Sequence, residues 1–157
     1  MERIVKTNRI TELCRELRKK QKTIVTTNGC FDLLHLGHIR YLTQTAALGD
    51  ILIVCVNSDT SVRRLKGAGR PFNPAPDRAE ILAALRPVDY TVIFEEDDPR
   101  VILEAIQPDI HVKGGDYRAD ELIEAATVRK YGGKIKIIPF VGGKSTSALI
   151  NKMGGLK

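Results

Sequence analysis

His35 and His38 stand three residues apart, and Gly37 immediately precedes the second histidine. That spacing places both imidazoles on one side of the first turn of a helix. Gly37 leaves the backbone uncovered, so a phosphate could approach the N–H groups at the helix start. Two imidazoles that donate to one phosphate would stabilise the charge that develops on it in a transition state. The segment therefore predicts phosphate chemistry. The alternatives are metal binding by the histidine pair and a plain helix cap at His35.

Three hydroxyl side chains follow one another near the C-terminal end, at Ser145, Thr146 and Ser147. They come shortly after Gly143 and open a segment that is predicted to be a short helix. A helix start with hydroxyls and unpaired N–H groups is a suitable site for an anion. The segment therefore predicts a second phosphate-binding element, with an ordinary serine N-cap as the alternative.

Two lysines lie where a phosphate could meet a cation. Lys66 belongs to a glycine-flanked loop at residues 66–70, from which it could swing onto bound phosphates, although a solvated lysine is the simpler interpretation. Lys113 ends a buried strand, where a lysine needs an anionic partner or an exit to solvent. His111, inside the same strand, is predicted to be a packed histidine. Arg78 is predicted to pair with Glu80 or to contact a nucleotide.

The elements that must position these residues alternate between strands and helices. An apolar run predicts a strand at residues 51–56, and short segments rich in β-forming residues predict strands at residues 23–27, 90–94, 110–112 and 134–139. Helical periodicity predicts helices at residues 11–20, 37–49, 74–85, 99–106 and 120–131, and a short one from residue 145. This order predicts an α/β fold with a doubly wound, five-stranded parallel sheet. Residues 1–157 are expected to form a single domain, with residues 1–22 as an N-terminal helical extension.

In such sheets ligands bind beyond the carboxyl ends of the strands, at the point where strand order reverses. The segments expected at that edge are residues 28–38, 57–70, 113–117 and 140–147, which hold most of the clustered Gly, His and Lys. The fold thus predicts the same site as the histidine pair.

Composition narrows the class of protein. The 157 residues include 43% hydrophobic and 28% charged types, which is ordinary for a globular chain. Three cysteines without a CxxC pair indicate neither a disulfide framework nor a zinc knuckle. We expect a cytoplasmic protein without a membrane partner, because no apolar run approaches a span and the N-terminus resembles no signal peptide. A net charge of +6 favours anionic partners, but four Phe, four Tyr and no Trp offer few platforms for nucleic-acid bases.

Residues 28–38 read NGCFDLLHLGH, and this segment resembles the signature of the cytidylyltransferase-like nucleotidyltransferases. The likeness extends from about residue 10 to residue 153 and includes the segments 56–59, 66–71, 77–82, 108–109, 112–117 and 144–147. It departs from the family at Ser147, which often is Thr, and at Asp77, which often is Glu; both keep the hydrogen-bonding group. Within the family the chain is most similar to the adenylyltransferases that act on D-glycero-β-D-manno-heptose 1-phosphate.

This resemblance implies a Rossmann-like fold and a stand-alone form of an enzyme that elsewhere is often fused to a sugar kinase. The implied reaction transfers AMP from ATP to the heptose 1-phosphate and gives ADP-heptose and pyrophosphate for lipopolysaccharide core synthesis. Mg²⁺ is expected to ride on the ATP phosphates, with no metal site of the protein's own. The implied partners are ATP, a sugar 1-phosphate and a second copy in a homodimer, with no nucleic acid.

The resemblance also assigns residues to roles. The implied catalytic residues are His35, His38, Lys66 and Lys113. The implied nucleotide-binding residues are Gly29, Cys30, Phe31, His35, Gly37, His38, Lys113, Gly114, Gly143, Ser145, Thr146 and Ser147. The implied residues for the acceptor substrate are Asp32, Asn57, Asp59, Lys66, Arg70 and Asp116.

Four other functions compete with this hypothesis. A cytidylyltransferase would share the histidine chemistry but use CTP. Another adenylyltransferase or cytidylyltransferase would take glycerol 3-phosphate, ethanolamine phosphate or phosphopantetheine. A nucleic-acid-binding module would exploit the basic stretch at residues 15–22, which a solvated helix face explains as well. A catalytically inactive nucleotide sensor is disfavoured, because every charged candidate residue is retained.

Overall fold

A computed structural model of the chain describes residues 2–139 and 145–154. The strands in these two ranges are β1 (Ile4–Val5), β2 (Ile24–Gly29), β3 (Ile51–Asn57), β4 (Tyr90–Phe94), β5 (Ile110–Gly114) and β6 (Lys134–Ile138). The helices there are α1 (Thr7–Lys19), α2 (Leu36–Ala46), α3 (Asp59–Lys66), α4 (Ala75–Ala83), α5 (Arg100–Ile106), α6 (Ala125–Lys130) and α7 (Thr146–Gly154). A single 3₁₀ turn covers Ala119–Glu121.

The strands form one parallel sheet in the order β1-β4-β3-β2-β5-β6. From β2 the chain moves outward through β3 to β4, and then returns to place β5 on the other side of β2. The strand order therefore reverses between β2 and β5, as in the doubly wound sheets of Rossmann-like folds. Ligands of such sheets bind at this reversal, beyond the carboxyl ends of the two strands.

Helices cover the sheet on both faces, and each face has its own apolar cluster. On one face Ile10 and Cys14 of α1 pack with Ile53 of β3. On the other face Leu42 of α2 and Leu82 of α4 pack with strand residues. The central strand β3 reads ILIVCVN, an unbroken apolar run apart from its last residue, because its side chains are buried on both faces.

The sheet has one strand more than the sequence predicts. The additional strand, β1, consists of two residues, and Ile4 and Val5 pair with Thr91 and Val92 of β4. A two-residue strand is too short to give a hydrophobic period, so only the tertiary pairing identifies it. The five-stranded prediction is corrected to six strands within the described ranges.

Two helical segments also differ from the prediction. Helix α3 is not among the predicted helices, and Lys66 is its last residue rather than part of a loop. Ser58 begins this helix by accepting a hydrogen bond from the amide of Ser61 (3.1 Å). The predicted helix at residues 120–131 is broken at Leu122, whose extended backbone (φ −74°, ψ 131°) separates the 3₁₀ turn from α6. No described helix is long and apolar enough to cross a membrane.

Candidate active site

The reversal of strand order places the histidine segment beside β5. The chain leaves β2 at Gly29 and enters α2 at Leu36, so His35 and His38 lie at the carboxyl edge of the sheet. Tyr41 of α2 fixes this helix against both strands, because its hydroxyl donates to the Val112 carbonyl of β5 (3.1 Å) and bonds with the Thr27 hydroxyl of β2 (2.7 Å). Burial raises the pKa of Tyr41 to about 12, so the hydroxyl keeps its proton.

Each histidine also takes part in the cap of α2. His35 precedes the helix, and its Nδ1 accepts a hydrogen bond from the Gly37 amide (3.1 Å). His38 reaches back, and its Nδ1 accepts from the His35 amide at 3.3 Å. The two ring centroids are therefore 4.0 Å apart. The histidines thus cap the helix, as the alternative interpretation predicts, and their rings also lie close together. Capping uses only Nδ1 of each ring, so Nε2 of each ring is not part of the cap.

The contacts of His38 determine its protonation. Burial, and then the neighbouring His35, lower the pKa of His38 to about 4. The ring is therefore neutral at pH 7. Because Nδ1 accepts the His35 amide, the single proton of the neutral ring lies on Nε2. His38 is thus a neutral N–H donor rather than a cation.

Phe31 supports the His38 ring from the side of β2. Its φ of +48° is uncommon for a residue other than glycine, and this backbone brings the ring to 5.6 Å from His38, centroid to centroid. Gly29 makes room for it: a Cβ at that position would lie 3.0 Å from Cε2 of Phe31. Strained backbone of this kind clusters at functional sites. Gly29 and Phe31 therefore position the histidine segment through packing.

The start of α7 reaches the same segment from the far end of the chain. The Thr146 hydroxyl donates to the Leu33 carbonyl (3.1 Å), two residues before His35. Ser145 caps α7, because its Oγ accepts from the Ala148 amide at 3.0 Å. Ser147 is exposed, and Gly143 lies outside the described residues. The structure thus brings the N-terminus of α7 beside the loop that carries the histidines.

Three cations lie near Cys30. Burial raises the pKa of the Cys30 thiol, and the charges of Lys66, Arg78 and Arg70 oppose that rise. Lys66 is exposed at the end of α3, and Arg70 is only 18% exposed. The loop after β2 is therefore bordered by positive charge on the side away from β5.

Asp32 holds this loop to the segment that follows α3. Its carboxylate accepts hydrogen bonds from the Phe72 amide (2.9 Å), the Asn73 amide (2.9 Å) and Nε of Arg70 (2.7 Å). Burial alone would raise the pKa of Asp32, but these donors outweigh it and hold the pKa below its usual value. The ionised Asp32 carboxylate thus links the loop after β2 to residues 70–73 and fixes the position of Arg70. Its predicted contact with the acceptor substrate stays a prediction.

Asn57 and Asp59 also bond within the protein. Asn57 is 3% exposed, and its amide donates to the Ser61 hydroxyl (3.0 Å). Asp59 accepts from the Ala75 amide at the start of α4 and from Nη2 of Arg78, both at 2.8 Å. These hydrogen bonds connect the end of β3, the start of α3 and the start of α4. Their predicted contacts with the acceptor stay predictions.

Arg78 does not pair with Glu80 as the sequence predicts, whereas the alternative, a contact with a nucleotide, stays a prediction. It pairs with Asp59 rather than Glu80, is 1% exposed, and donates to the carbonyls of Cys30 and Asn73. A fully buried arginine in an amphipathic helix is a weak signal in the sequence, because its partners are 5 to 48 residues away. Arg78 of α4 thus fixes the backbone of the loop after β2 at Cys30.

On the other side of the site, β5 carries Lys113 at its carboxyl end. The Lys113 ammonium lies 3.7 Å from Oε1 of Glu124, and the Lys113 side chain is 25% exposed. Gly114 and Gly115 follow, and Gly115 has a φ of +119°, which a side chain would resist. Asp116 is exposed at the end of this turn. Glu124, which is 2% exposed, was not among the predicted site residues.

No three His, Cys, Asp or Glu side chains in residues 2–139 and 145–154 are grouped to hold a metal ion. The described part of the site thus consists of cations, imidazoles and the N-termini of α2 and α7 around the ends of β2 and β5. Such a set of donors suits a polyanion.

Known proteins resemble this chain over most of its length. Residues 26–149 match the sequence model of the family described as cytidylyltransferase-like. The chain is 52% identical over 141 residues to the bifunctional protein HldE of a Nitratiruptor species, across 90% of this chain and 30% of that protein. It is 47% identical over 154 residues to the bifunctional protein HldE of Wolinella succinogenes, across 98% of this chain and 32% of that protein. The chain spans about a third of the length of these two relatives.

A solved structure with a similar fold is that of a lipopolysaccharide core biosynthesis protein from Thermoplasma volcanium GSS1. The TM-score is 0.63 and the sequence identity 31%, across 78% of this chain and 99% of that chain. The likeness therefore covers nearly the whole of the Thermoplasma protein.

Proposed function

The chain belongs to the cytidylyltransferase-like family, and we propose that it transfers AMP from ATP to D-glycero-β-D-manno-heptose 1-phosphate. The observation that carries the proposal is the hydrogen bond from Thr146 to the Leu33 carbonyl, which joins the α7 start to the histidine loop across 113 residues of sequence. A helix N-terminus and two imidazoles at one strand-order reversal suit the phosphates of a nucleoside triphosphate.

In the proposed reaction a phosphate oxygen of the heptose 1-phosphate attacks the α-phosphorus of ATP in line with the departing pyrophosphate. One P–O bond forms to the acceptor, and the bond between the α-phosphorus and the oxygen bridging to the β-phosphate breaks. The attacking phosphate is already ionised at pH 7, so no general base is required. Catalysis then consists of positioning and of stabilising the charge on the α-phosphate.

His35 and His38 are assigned to the α-phosphate. His38 offers Nε2–H as a neutral donor, and this donor is preorganised because Nδ1 is held by the cap of α2. Its low pKa keeps the ring in this form throughout the neutral range. Removal of one such donor typically costs about 2.7–4 kcal/mol in the transition state.

The leaving pyrophosphate is assigned to the start of α7. Ser145 and Thr146 bring the first amides of this helix and its positive dipole end toward the β- and γ-phosphates. The Thr146 proton is used by Leu33, so the backbone of this turn rather than the Thr146 hydroxyl is the expected donor to phosphate. Mg²⁺ would enter with its substrate as Mg-ATP and share the phosphate charge.

The acceptor phosphate is assigned to Lys66 and Arg70, which border the histidine loop on the β3 side. Arg70 keeps its Nη groups for a ligand, since Asp32 is bound through Nε. Lys113 approaches the triphosphate from β5. The choice of heptose 1-phosphate as acceptor rests on the resemblance of the sequence and on HldE relatives, three of which align with 87–98% of this chain.

The decisive assay is pyrophosphate release with matched substrates. The purified protein is incubated with Mg-ATP or Mg-CTP and, in turn, heptose 1-phosphate, glycerol 3-phosphate, ethanolamine phosphate and phosphopantetheine. We expect pyrophosphate and ADP-heptose from Mg-ATP and heptose 1-phosphate. Turnover with CTP alone would identify a cytidylyltransferase, and turnover with another acceptor alone would remove the heptose assignment.

We further propose that the protein acts in the cytoplasm as a homodimer. Nucleoside triphosphates and sugar phosphates are charged metabolites of that compartment, and the net charge of +6 suits such anionic substrates.

Sedimentation equilibrium tests the dimer: a single species of about twice the 17.4 kDa chain mass is expected, and a species at the chain mass contradicts it.

A further inference from the structure

A buried polar chain lies behind Lys113, and the proposed reaction does not use most of it. His111 and Lys113 are two residues apart on β5, so their side chains lie on the same face of the sheet. Thr26 of β2 is the register partner of His111. Glu124, immediately before α6, reaches the same place from the covering layer. Four polar side chains from three elements therefore meet on one face of the sheet.

The distances order these groups into a chain. The Thr26 hydroxyl lies 2.8 Å from Nδ1 of His111. Nε2 of His111 is 3.5 Å from Oε1 of Glu124, and the same oxygen is 3.7 Å from the Lys113 ammonium. Among the described residues His111 Nε2 and Glu124 Oε1 are buried atoms without a hydrogen-bond partner. The contacts at this oxygen are thus ionic or dipolar rather than close hydrogen bonds.

The charges identify the partner that Glu124 needs. A carboxylate that is 2% exposed requires a counter-charge, since burial of an unpaired charge is costly. Burial lowers the pKa of His111, although contact with Glu124 opposes the shift, so this ring is neutral at pH 7. Burial would raise the pKa of Glu124, but His111 and the charge of Lys113 outweigh that effect. Lys113 is therefore a cationic partner of Glu124, at 3.7 Å, beside the neutral His111.

We propose that Glu124 is a positioning residue, which holds the Lys113 ammonium at the carboxyl end of β5 and so directs it toward the nucleotide phosphates. A lysine has four flexible methylenes and would otherwise extend into water. The Lys113 side chain is 25% exposed and that of Glu124 is 2% exposed, so the lysine is the member of this pair that a ligand can reach. The inference rests on the proposed function, because Lys113 is assigned there to the triphosphate.

The first measurement needs no variant and no turnover. In the wild-type protein without nucleotide, side-chain NMR relaxation reports the mobility of the lysine ε-methylenes. We expect the Lys113 methylene to be restricted, whereas that of Lys134, exposed on β6, moves freely. A Lys113 side chain as mobile as Lys134 overturns the proposal, whatever reaction the protein catalyses.

The second measurement links Glu124 to the ligand through Lys113. Glu124→Gln removes the charge and keeps the shape. The matched control is Glu121→Gln, at an exposed residue whose ion pair within the described chain is with Arg118, at 3.7 Å. With Mg-ATP as the probe in titration calorimetry, we expect Glu124→Gln to weaken binding about tenfold, a coupling typical of contacting residues. The control is expected to bind as the wild type does.

A double-mutant cycle separates positioning from general support of the fold. If Glu124 acts through Lys113, Glu124→Gln adds little to the loss in Lys113→Met, since the group to be positioned is already absent. Full additivity of the two losses, or wild-type affinity in Glu124→Gln, overturns the proposal. Absence of pyrophosphate release by a wild type that binds Mg-ATP refutes the proposed function and leaves this cycle intact.

Discussion

His38 combines two roles in the structure, and its substitution separates them. Nδ1 of His38 accepts the His35 amide and completes the cap of α2, while Nε2–H is the donor assigned to the α-phosphate. His38→Ala removes both. The lost cap is expected to destabilise the fold by about 1 kcal/mol. The lost donor is expected to raise the activation barrier by about 2.7–4 kcal/mol, or about 10²–10³-fold in turnover.

His38→Gln restores only the cap. Glutamine at the third helical position accepts the amide of the capping residue, so the stability of this variant is expected to return near the wild-type value. Its amide lacks the rigid Nε2–H of the ring, and turnover is expected to stay at least about tenfold below wild type. Urea unfolding gives the stabilities, and pyrophosphate release gives the turnover. Near-normal turnover of His38→Ala, which has no donor at this position, would show that His38 is only a cap.

The protonation of His38 can be measured without substrate. We expect ¹⁵N NMR to show the Nε2–H tautomer at pH 7 and a pKa of about 4. The ordinary histidine pKa is about 6.5, so between these values the unfolded chain binds a proton that the folded chain excludes. Stability should therefore fall as pH decreases from about 6.5 toward 4, and less steeply in His38→Gln. A ring that is protonated at pH 7 would contradict the neutral-donor mechanism.

Three further substitutions test the support of the site. Arg78→Met should destabilise the protein by about 1–3 kcal/mol in urea unfolding, because the carbonyls of Cys30 and Asn73 lose their buried donor; wild-type stability would contradict this. The depressed pKa of Asp32 stabilises the fold above the unfolded value of about 3.9, and this contribution disappears as pH falls through the lower folded pKa. Asp32→Asn should therefore flatten the dependence of stability on pH below about 4. If stability depends on pH in the variant as it does in the wild type, the ionised Asp32 carboxylate does not stabilise the fold. Tyr41→Phe should cost about 1–2 kcal/mol in thermal or urea unfolding through its two lost hydrogen bonds, and wild-type stability would exclude that bridge.

Local patterns in the sequence are sufficient to predict most of the sheet and the place of the site. Strand β3 is an apolar run up to its last residue, and the strands β2, β4, β5 and β6 are short segments rich in β-branched or aromatic residues. The parallel order follows from the alternation of these strands with helices. The histidine pair is equally local, because His35 and His38 belong to one helical turn. A doubly wound sheet then places that turn at the strand-order reversal without knowledge of any contact.

What the sequence does not reveal are the partners of the polar residues. The Asp32 carboxylate could bind a substrate, yet its oxygens accept hydrogen bonds from the amides of Phe72 and Asn73, about 40 residues away. Arg78 and Glu124 lie in or beside helices where a charged residue normally faces solvent, and both are buried. Periodicity predicts which face of a helix is apolar. Whether a single charged residue is buried depends on a partner that is distant in the sequence, and no local pattern contains that information.

The central claim is that the histidine turn and the start of α7 hold one triphosphate between them. A crystal structure of the protein with Mg²⁺ and a non-hydrolysable ATP analogue tests this claim directly. We predict that the rings of His35 and His38 lie about 3 Å from α-phosphate oxygens, while amides at Ser145 and Thr146 bind the β- and γ-phosphates. A triphosphate bound away from the ends of β2 and β5, or one that reaches only one of these two elements, would contradict the account.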